Sequence, residues 1–316
     1  MTSAFKRFLQ TLGEIFFHHI EWHWRLVLTI RQYVQAIAVT ASAEVLRYEP
    51  TGSPLSFAQI QERRVPLQLQ LSDPNHFNVV LANLGVSVDL YLHWQQRDFR
   101  LLVRQDRPDH GDQVLKLLSG YVPSHELRVP LLTVMTEIAE ELLIETRSGW
   151  LQGRYQDTWL PTPYAESLPL DSERHFTLGA RAGNTRPVLC RELNLLERPR
   201  AYVHLPTSSL QLVYQMQLAL PDDIDAPSLL HADEYLDPDS RELIARVDHQ
   251  QPDLFLAEYR NGEPTGELYH LQRGELVAQP TGGLLLSEAF AEQQGWVVTA
   301  ANCALQQGLG LTDGTA

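Results

Sequence analysis

The chain has 316 residues, of which 44% are hydrophobic and 20% are charged, and these proportions exclude a disordered or collagen-like protein. Its formal net charge is −14 and its sequence holds no basic patch, which disfavours nucleic-acid binding, because that binding depends on cations that contact phosphates. The two cysteines, Cys190 and Cys303, are too few for a disulfide scaffold and indicate a cytoplasmic location. The cations other than Lys6 and Lys116 are arginines, a bias typical of GC-rich bacterial genes.

The first 48 residues predict one long N-terminal helix. Over residues 4–47, apolar side chains recur at every third or fourth position in a heptad-like stripe. A helix of that length would span about 65 Å at 1.5 Å per residue, which exceeds one small domain. We therefore expect helical oligomerisation, or docking on a partner protein, through this stripe. The expected contact residues are Leu9, Leu12, Phe16, His19, His23 and Ile30.

The same apolar region is not expected to cross a membrane or to act as a signal peptide. A spanning helix needs about 20 mostly apolar residues. Here Glu14, Glu21 and Arg25 interrupt the stretch, and no small-residue cleavage pattern follows it. The sequence therefore predicts no transmembrane segment.

Residues 49–154 predict an α+β domain. Residues 49–63 are rich in turn-forming residues and indicate a loop. Apolar alternation over 86–103 predicts a β-hairpin with one face in water. Helices are expected at 112–119, where Asp112 would act as the cap, and at 129–144.

Residues 155–174 predict a linker, because three prolines lie among polar residues there, although Trp159 and Tyr164 indicate that parts of it are held in place. Residues 175–316 predict a β-rich domain, in which six alternating apolar positions over 210–220 give the strongest strand signal. The other expected elements are strands at 175–178 and 201–205, a hairpin formed by 253–259 and 266–271, and helices at 239–246 and 284–293. The predicted fold class is α+β, with the long helix, a mixed first part and a β-richer second part of antiparallel strands.

Two groups of residues could ligate a metal. His19 and His23 lie one helical turn apart, as two zinc ligands often do, but Glu21 would point about 200° away and leave no base for a bound water. The alternative is a buried polar layer that sets helix register. Asp109 and His110 lie among further carboxylates and could bind a cation, and the alternative there is a turn followed by a helix cap.

An acidic segment runs from residue 222 to 253, with ten Asp or Glu against two Arg. A solvated face is the simpler interpretation, and a docking surface for a basic partner is the sharper one. The residues expected to contact such a partner are Asp233, Glu234 and Asp237.

Signatures of common enzymes and of cofactor binding are absent from the sequence, which has no Gly-x-Ser-x-Gly, Gly-x-Gly-x-x-Gly or P-loop motif. The sequence therefore predicts no cofactor. The leading hypothesis is a non-enzymatic assembly or adaptor protein that associates with itself or with a protein partner. The alternatives are a metal-dependent enzyme and a small-ligand-binding protein whose pocket includes the strand at 210–220.

Overall fold

The computed structural model describes residues 33–64, 71–107, 112–165, 167–181, 186–195, 197–236, 243–261, 263–280, 284–286 and 295–298. In this part of the chain most residues lie in strands, and helices occur as α1 (Phe57–Arg64), α2 (Pro130–Glu141) and a 3-10 turn at Leu205–Thr207. The strands are β1 (Tyr33–Val34), β2 (Ile37–Ala41), β3 (Leu46–Pro50), β4 (Leu55–Ser56), β5 (Phe77–Leu81), β6 (Asn83–Trp94), β7 (Arg97–Arg107), β8 (Asp112–Lys116), β9 (Leu118–Tyr121), β10 (Leu142–Thr146), β11 (Gly149–Tyr155), β12 (Thr158–Trp159), β13 (Leu170–Ala180), β14 (Val188–Cys190), β15 (Leu193–Asn194), β16 (Arg200–His204), β17 (Ser209–Ala219), β18 (Ser228–His231), β19 (Asp233–Leu236), β20 (Leu243–Arg246), β21 (Leu254–Arg260), β22 (Glu263–Gln272), β23 (Glu275–Gln279), β24 (Leu284–Leu286) and β25 (Val297–Val298).

One large sheet organises the molecule, and it curls into a half-barrel. Its described strands follow the order β18-β10-β11-β13-β17-β6-β7-β21-β22-β23, and β8 and β9 pair with β7 and β6 where those two strands diverge. This sheet takes strands from both sides of residues 155–174, which themselves contribute β12 and the start of β13. A smaller sheet of described strands, β15-β14-β3-β2-β5, packs on the same core.

The pairing of β6 with β17 joins the two halves of the chain. The strands run parallel from the pair Asn83–Ser209 to the pair Leu92–Leu218. Their even-numbered residues are apolar and belong to the main hydrophobic core, which defines the core face of the sheet. The odd-numbered residues define its second face, which is also buried over much of its length. A second apolar cluster lies on this face and consists of Leu102, Leu115, Leu117, Tyr202, Val213, Phe255, Ala257 and Leu268.

A buried ion pair lies next to that second cluster. Asp89 of β6 and Arg100 of β7 form two hydrogen bonds, and the one from Nη2 to Oδ2 measures 2.7 Å. Oδ2 of Asp89 also accepts from the Tyr91 hydroxyl at 3.2 Å and from Nε2 of Gln215 at 3.1 Å. Arg100 donates to the hydroxyl of Tyr259 at 3.3 Å. Four strands, β6, β7, β17 and β21, are thus joined by one polar network that has no solvent exposure at Asp89.

The two ends of the large sheet touch each other. The amide of His231 in β18 donates to the carbonyl of Pro252, just before β21, at 3.0 Å. The amide of Gly274 donates to the carbonyl of Pro227 at 2.8 Å, and that of Arg273 donates to Oγ of Ser228 at 3.0 Å. The curl of the sheet therefore brings β18 back against the turn after β22.

Helix α2 fills part of the core face. It begins at Pro130, whose fixed φ suits the first helical position, and it ends at Glu141, where the chain continues directly into β10. Its buried residues include Val134 and Ile138, and it packs against β9, β6, β10 and β11. The helix predicted at 129–144 is thus confirmed over 130–141. It holds the start of β10 in a fixed position.

The predicted fold class and its long N-terminal helix are wrong. Residues 33–50 form three strands rather than the end of a helix, and the rest of the predicted helix lies outside the described residues. In β2, Ile37, Val39 and Ala41 are buried and the residues between them are more exposed, so a period of two prevails over the heptad-like pattern. The predicted helical oligomerisation loses its structural basis, because the segment pairs within its own sheet.

Other local predictions also fail for reasons of tertiary pairing. The helix expected at 112–119 is instead β8 and β9, which fill the gap between the diverging β6 and β7. Parts of the two later predicted helices are the strands β20 and β24. Within the predicted loop 49–63, Ser56 and Gln59 exchange hydrogen bonds as a capping box and start α1.

The hairpin of β6 and β7 is confirmed, but its expected wet face is not. Ser87 and Asp89 are buried although they alternate with apolar residues, because β6 lies in the interior of the sheet. The expected exposure of this face is seen only near the turn, where His93 is exposed. The strand at 210–220 and the hairpin of β21 and β22 are confirmed as well.

Replacement of Asp89 tests the buried network. We expect Asp89→Asn to lower the free energy of unfolding by about 3–5 kcal/mol, because Arg100 would keep its buried charge without a counter-ion. Urea unfolding measures this loss. The matched control is Asp98→Asn, which removes an exposed carboxylate that pairs with His93 and should cost less than about 1 kcal/mol. A loss for Asp89→Asn as small as the control's would contradict the structural role of the ion pair.

Candidate functional site

An apolar cleft lies between β11, the end of helix α2 and the crossing segment (residues 160–168), and residues from both faces of the sheet line it. It contains about 410 Å³ of empty space, part of which is open to solvent. Its walls come from the end of α2 with the start of β10 (Ala139, Leu142, Leu143), from β11 (Trp150, Leu151, Gln152, Gly153), from the crossing segment (Leu160, Pro161, Thr162, Pro163, Tyr164, Ala165, Leu168) and from β13 (Leu170, Phe176). These walls are predominantly apolar, as are those of many sites that bind small molecules.

Hydrogen bonds fix the crossing segment to β11 at its start and to helix α2 at Tyr164. The amide of Leu160 donates to the carbonyl of Gly153 at 2.9 Å, and Nε2 of Gln152 donates to the carbonyl of Leu160 at 2.9 Å. The hydroxyl of Tyr164 donates to the carbonyl of Glu140 at 2.9 Å. The cleft is therefore largely preformed, which lowers the entropic cost of binding a ligand.

Gly153 is required at the base of the cleft. A Cβ atom there would collide with the ring of Phe176 and would lie 2.9 Å from Cδ2 of Leu160. Only glycine lets these two side chains pack over the strand at that point.

The lining has little capacity for acid–base chemistry. Among the described residues, no Asp, Glu, Lys, Arg, His or Cys lines the cleft. Its polar side chains are Gln152, Thr162 and Tyr164, and the amide of Gln152 and the hydroxyl of Tyr164 already bond to backbone carbonyls. The site can hold an apolar molecule, but it lacks a group that could move a proton at neutral pH.

A small aromatic and cationic group lies next to the cleft lining, since Trp159 precedes Leu160 and pairs with Arg154 of β11. Trp159 is 51% exposed, and its ring lies 5.0 Å from that of His175 in an edge-to-face arrangement. The guanidinium carbon of Arg154 lies 5.6 Å from the Trp159 ring. Asp157 accepts a 3.0 Å hydrogen bond from Nη2 of Arg154.

Tyr155 and Glu197 form a partly buried polar pair, in which the hydroxyl of Tyr155 donates to Oε1 of Glu197. Burial, and then this hydrogen bond, raise the pKa of Tyr155 above its ordinary value. Nearby Tyr214 is almost fully buried, and burial raises its pKa too. The arrangement stabilises the core and keeps both phenols neutral.

Most of the site residues predicted from the sequence lie outside the described part of the chain. This holds for Leu9, Leu12, Phe16, His19, His23 and Ile30, and also for Asp109, His110 and Asp237. Asp233 is exposed in β19, and Glu234 follows it in the same strand. No group of three or more potential metal ligands occurs among the residues that can be placed.

The acidic segment is partly engaged with arginines from other strands. Asp223 bonds to Arg174 at 3.1 Å and Asp225 to Arg147 at 3.0 Å. Asp253 forms an ion pair with Arg104. These pairs join distant parts of the chain, so at least three of the carboxylates already have arginine partners within this protein.

The cleft residues Trp150, Tyr164 and Phe176 were not predicted as a site. The available signal was the aromatic pair Trp159 and Tyr164 within a polar, proline-rich tract, which indicated that the tract is held in place. Neither residue shows by itself that a cleft lies beneath the tract, because the cleft forms only when β13 pairs with β11 across the intervening segment.

Comparison with known proteins gives no family. No protein-family profile matches the chain, and no curated protein matches its sequence. Within the described residues, neither helix has the length and the apolar character that a membrane span requires.

Two histidines near the meeting ends of the sheet have lowered pKa values. Burial lowers the pKa of His231 to about 4, with the charge of Lys116 acting in the same direction and that of Asp233 opposing it. Burial, assisted by Arg104, lowers the pKa of His270 to about 4. Both imidazoles are therefore neutral in the folded protein at neutral pH.

These histidines predict a loss of stability in mild acid. In the unfolded chain the imidazoles are protonated near pH 6.5, whereas in the folded chain they stay neutral down to about pH 4. Their contribution to the free energy of unfolding is therefore complete above about pH 6.5 and is lost as the pH falls from there to about 4. We expect each histidine to contribute on the order of 2 kcal/mol to this loss. Urea unfolding near neutral pH and near pH 4.5 should show a smaller difference for His270→Leu than for the natural chain.

The exposed His93 gives the matched control. His93→Gln should leave the pH dependence as it is in the natural chain. An unchanged pH dependence in His270→Leu would show that the buried imidazole does not limit stability in acid.

Proposed function

We propose that this chain is a non-enzymatic binding protein that holds a small apolar molecule in the cleft beneath residues 160–168. The observation that carries this proposal is the chemistry of the lining, which is apolar and aromatic and which lacks ionisable groups that titrate near neutral pH among the described residues. Binding sites for small molecules combine such walls with a few placed polar groups. Gln152 and Thr162 are the polar groups here.

The size and construction of the cleft favour a small molecule over a protein segment. Its empty space of about 410 Å³, part of which is open solvent, is far less than a helix needs. The wall segment is tied to the strand beneath it by the hydrogen bonds of Gln152 and Leu160, which resist the widening that a larger partner would require. Docking through a long N-terminal helix is not part of the proposal, because residues 33–50 form strands.

A cleft-filling variant tests the proposal. Ala165 lines the cleft from its exposed side, so Ala165→Leu adds apolar volume inside the cleft without removing a core contact. We expect the natural chain to bind Nile red with a rise in fluorescence, and Ala165→Leu to bind it about 10-fold more weakly, since overpacking costs about 1–3 kcal/mol. Fluorescence titration gives both dissociation constants.

The control is Ala278→Leu, which adds the same side chain at an exposed position of β23 that does not line the cleft. It should bind Nile red as the natural chain does. Equal affinity in all three proteins would place any dye binding elsewhere and would refute the cleft as the binding site.

A further inference from the structure

The second face of β11 changes from apolar to cationic along its length. Alternation places Trp150, Gln152 and Arg154 on this face, and the parallel partner β13 sets Leu170 beside Trp150 and His175 beside Gln152. Trp150 and Gln152 line the cleft, and Arg154 lies two residues further along the strand, about 7 Å away. A molecule that occupies the cleft therefore has a guanidinium within reach of one end.

Arg154 retains hydrogen-bonding capacity. Its side chain is 35% exposed, and its partner Asp157 is fully exposed, so their ion pair contributes little and is easily exchanged. Nε of Arg154 is buried and has no hydrogen-bond partner among the described residues. A buried donor without a partner is unfavourable, and a ligand oxygen would relieve that cost.

Trp159 and His175 lie next to Arg154, outside the lining of the cleft. Their edge-to-face contact holds a half-exposed indole next to the strand, and Arg154 lies over the face of the same indole. The indole offers apolar surface, and the guanidinium presents a planar set of donors that matches a carboxylate. The indole thus suits the apolar part of an amphipathic molecule, and the guanidinium suits its carboxylate.

We propose that the ligand of the cleft is an amphipathic carboxylate, whose apolar body lies against Trp150 and Tyr164 and whose carboxylate binds Arg154 beside Trp159. This inference rests on the proposed function of the cleft and adds the chemical class of its ligand. The chain as a whole carries a net charge of −14, so the preference for an anion comes from the local cation and not from the overall field. Asp157 is displaced from Arg154 when the ligand binds.

Three ligands with the same alkyl chain and different head groups test this proposal. Isothermal titration of the full chain with decanoate, decanol and decylammonium compares an anionic, a neutral and a cationic head group. We expect decanoate to bind about 3- to 5-fold more tightly than decanol, as one partly exposed ion pair allows, and decylammonium to bind more weakly than decanol. In Arg154→Gln, decanoate and decanol should bind alike, with the affinity for decanol unchanged.

Two further variants show whether the positive charge at position 154 is responsible for the preference for decanoate. Arg154→Lys keeps the cation and should keep the preference for decanoate, although reduced, because an ammonium lacks the planar fork. The control Arg191→Gln removes an exposed arginine whose carboxylate partner, Glu49, lies 4.0 Å away, and it should leave the preference intact. Ala165→Leu should weaken binding of decanoate and decanol alike.

The outcomes distinguish this proposal from the one on which it rests. If Ala165→Leu weakens both ligands while Arg154→Gln leaves the preference for decanoate unchanged, the cleft binds ligands but Arg154 does not recognise their head group, and the inference is overturned. Loss of the preference in Arg154→Lys as complete as in Arg154→Gln would also overturn it. If neither decanoate nor decanol responds to Ala165→Leu, the proposed function itself fails.

Discussion

The structure depends on the parallel pairing of β6 with β17, which joins residues 126 positions apart along ten consecutive pairs. Parallel strands in the middle of a sheet need cover on both faces. On the core face, the apolar residues of both strands meet helix α2 and the smaller sheet. On the second face, the cover is an apolar cluster beside the Asp89–Arg100 network. A charged pair at that point fixes the register of four strands, because a slip of one residue would expose Asp89 to the apolar core.

The cleft lies near one edge of the large sheet. In the described strand order β10 and β11 follow the terminal strand β18, and their apolar residues outside the main core need a cover of their own. The segment 160–168 supplies that cover, and the apolar residues beneath it include Leu143, Trp150 and Leu230. The segment covers these strands incompletely, since an open space remains between it and β11. The candidate site is thus a consequence of incomplete cover near the edge of the sheet.

Local sequence patterns predicted the elements in which buried residues recur with a single period, either that of a strand or that of a helix. The alternation of β17, the hairpin of β21 and β22, and helix α2 could all be predicted because neighbours along the chain determine their faces. The patterns failed where pairing with strands distant in sequence determines the secondary structure or the buried face. Residues 33–47 contain both a heptad-like stripe and a period of two, and pairing with β5 selects the second. The polar residues of β6 suggested water on one side, whereas Asp89 is buried by strands that are distant in sequence. The cleft could not be predicted, because its walls come from four segments that meet only in the folded chain.

The most direct test of the cleft as a ligand site is photo-crosslinking with an alkyl diazirine, followed by peptide mass spectrometry of the labelled protein. The account predicts labels concentrated on two peptides, those that contain residues 139–143 and 160–170, and suppression of both by excess decanol. Labels spread over exposed apolar positions such as Val80 and Leu193, with none in those two peptides, would contradict the account.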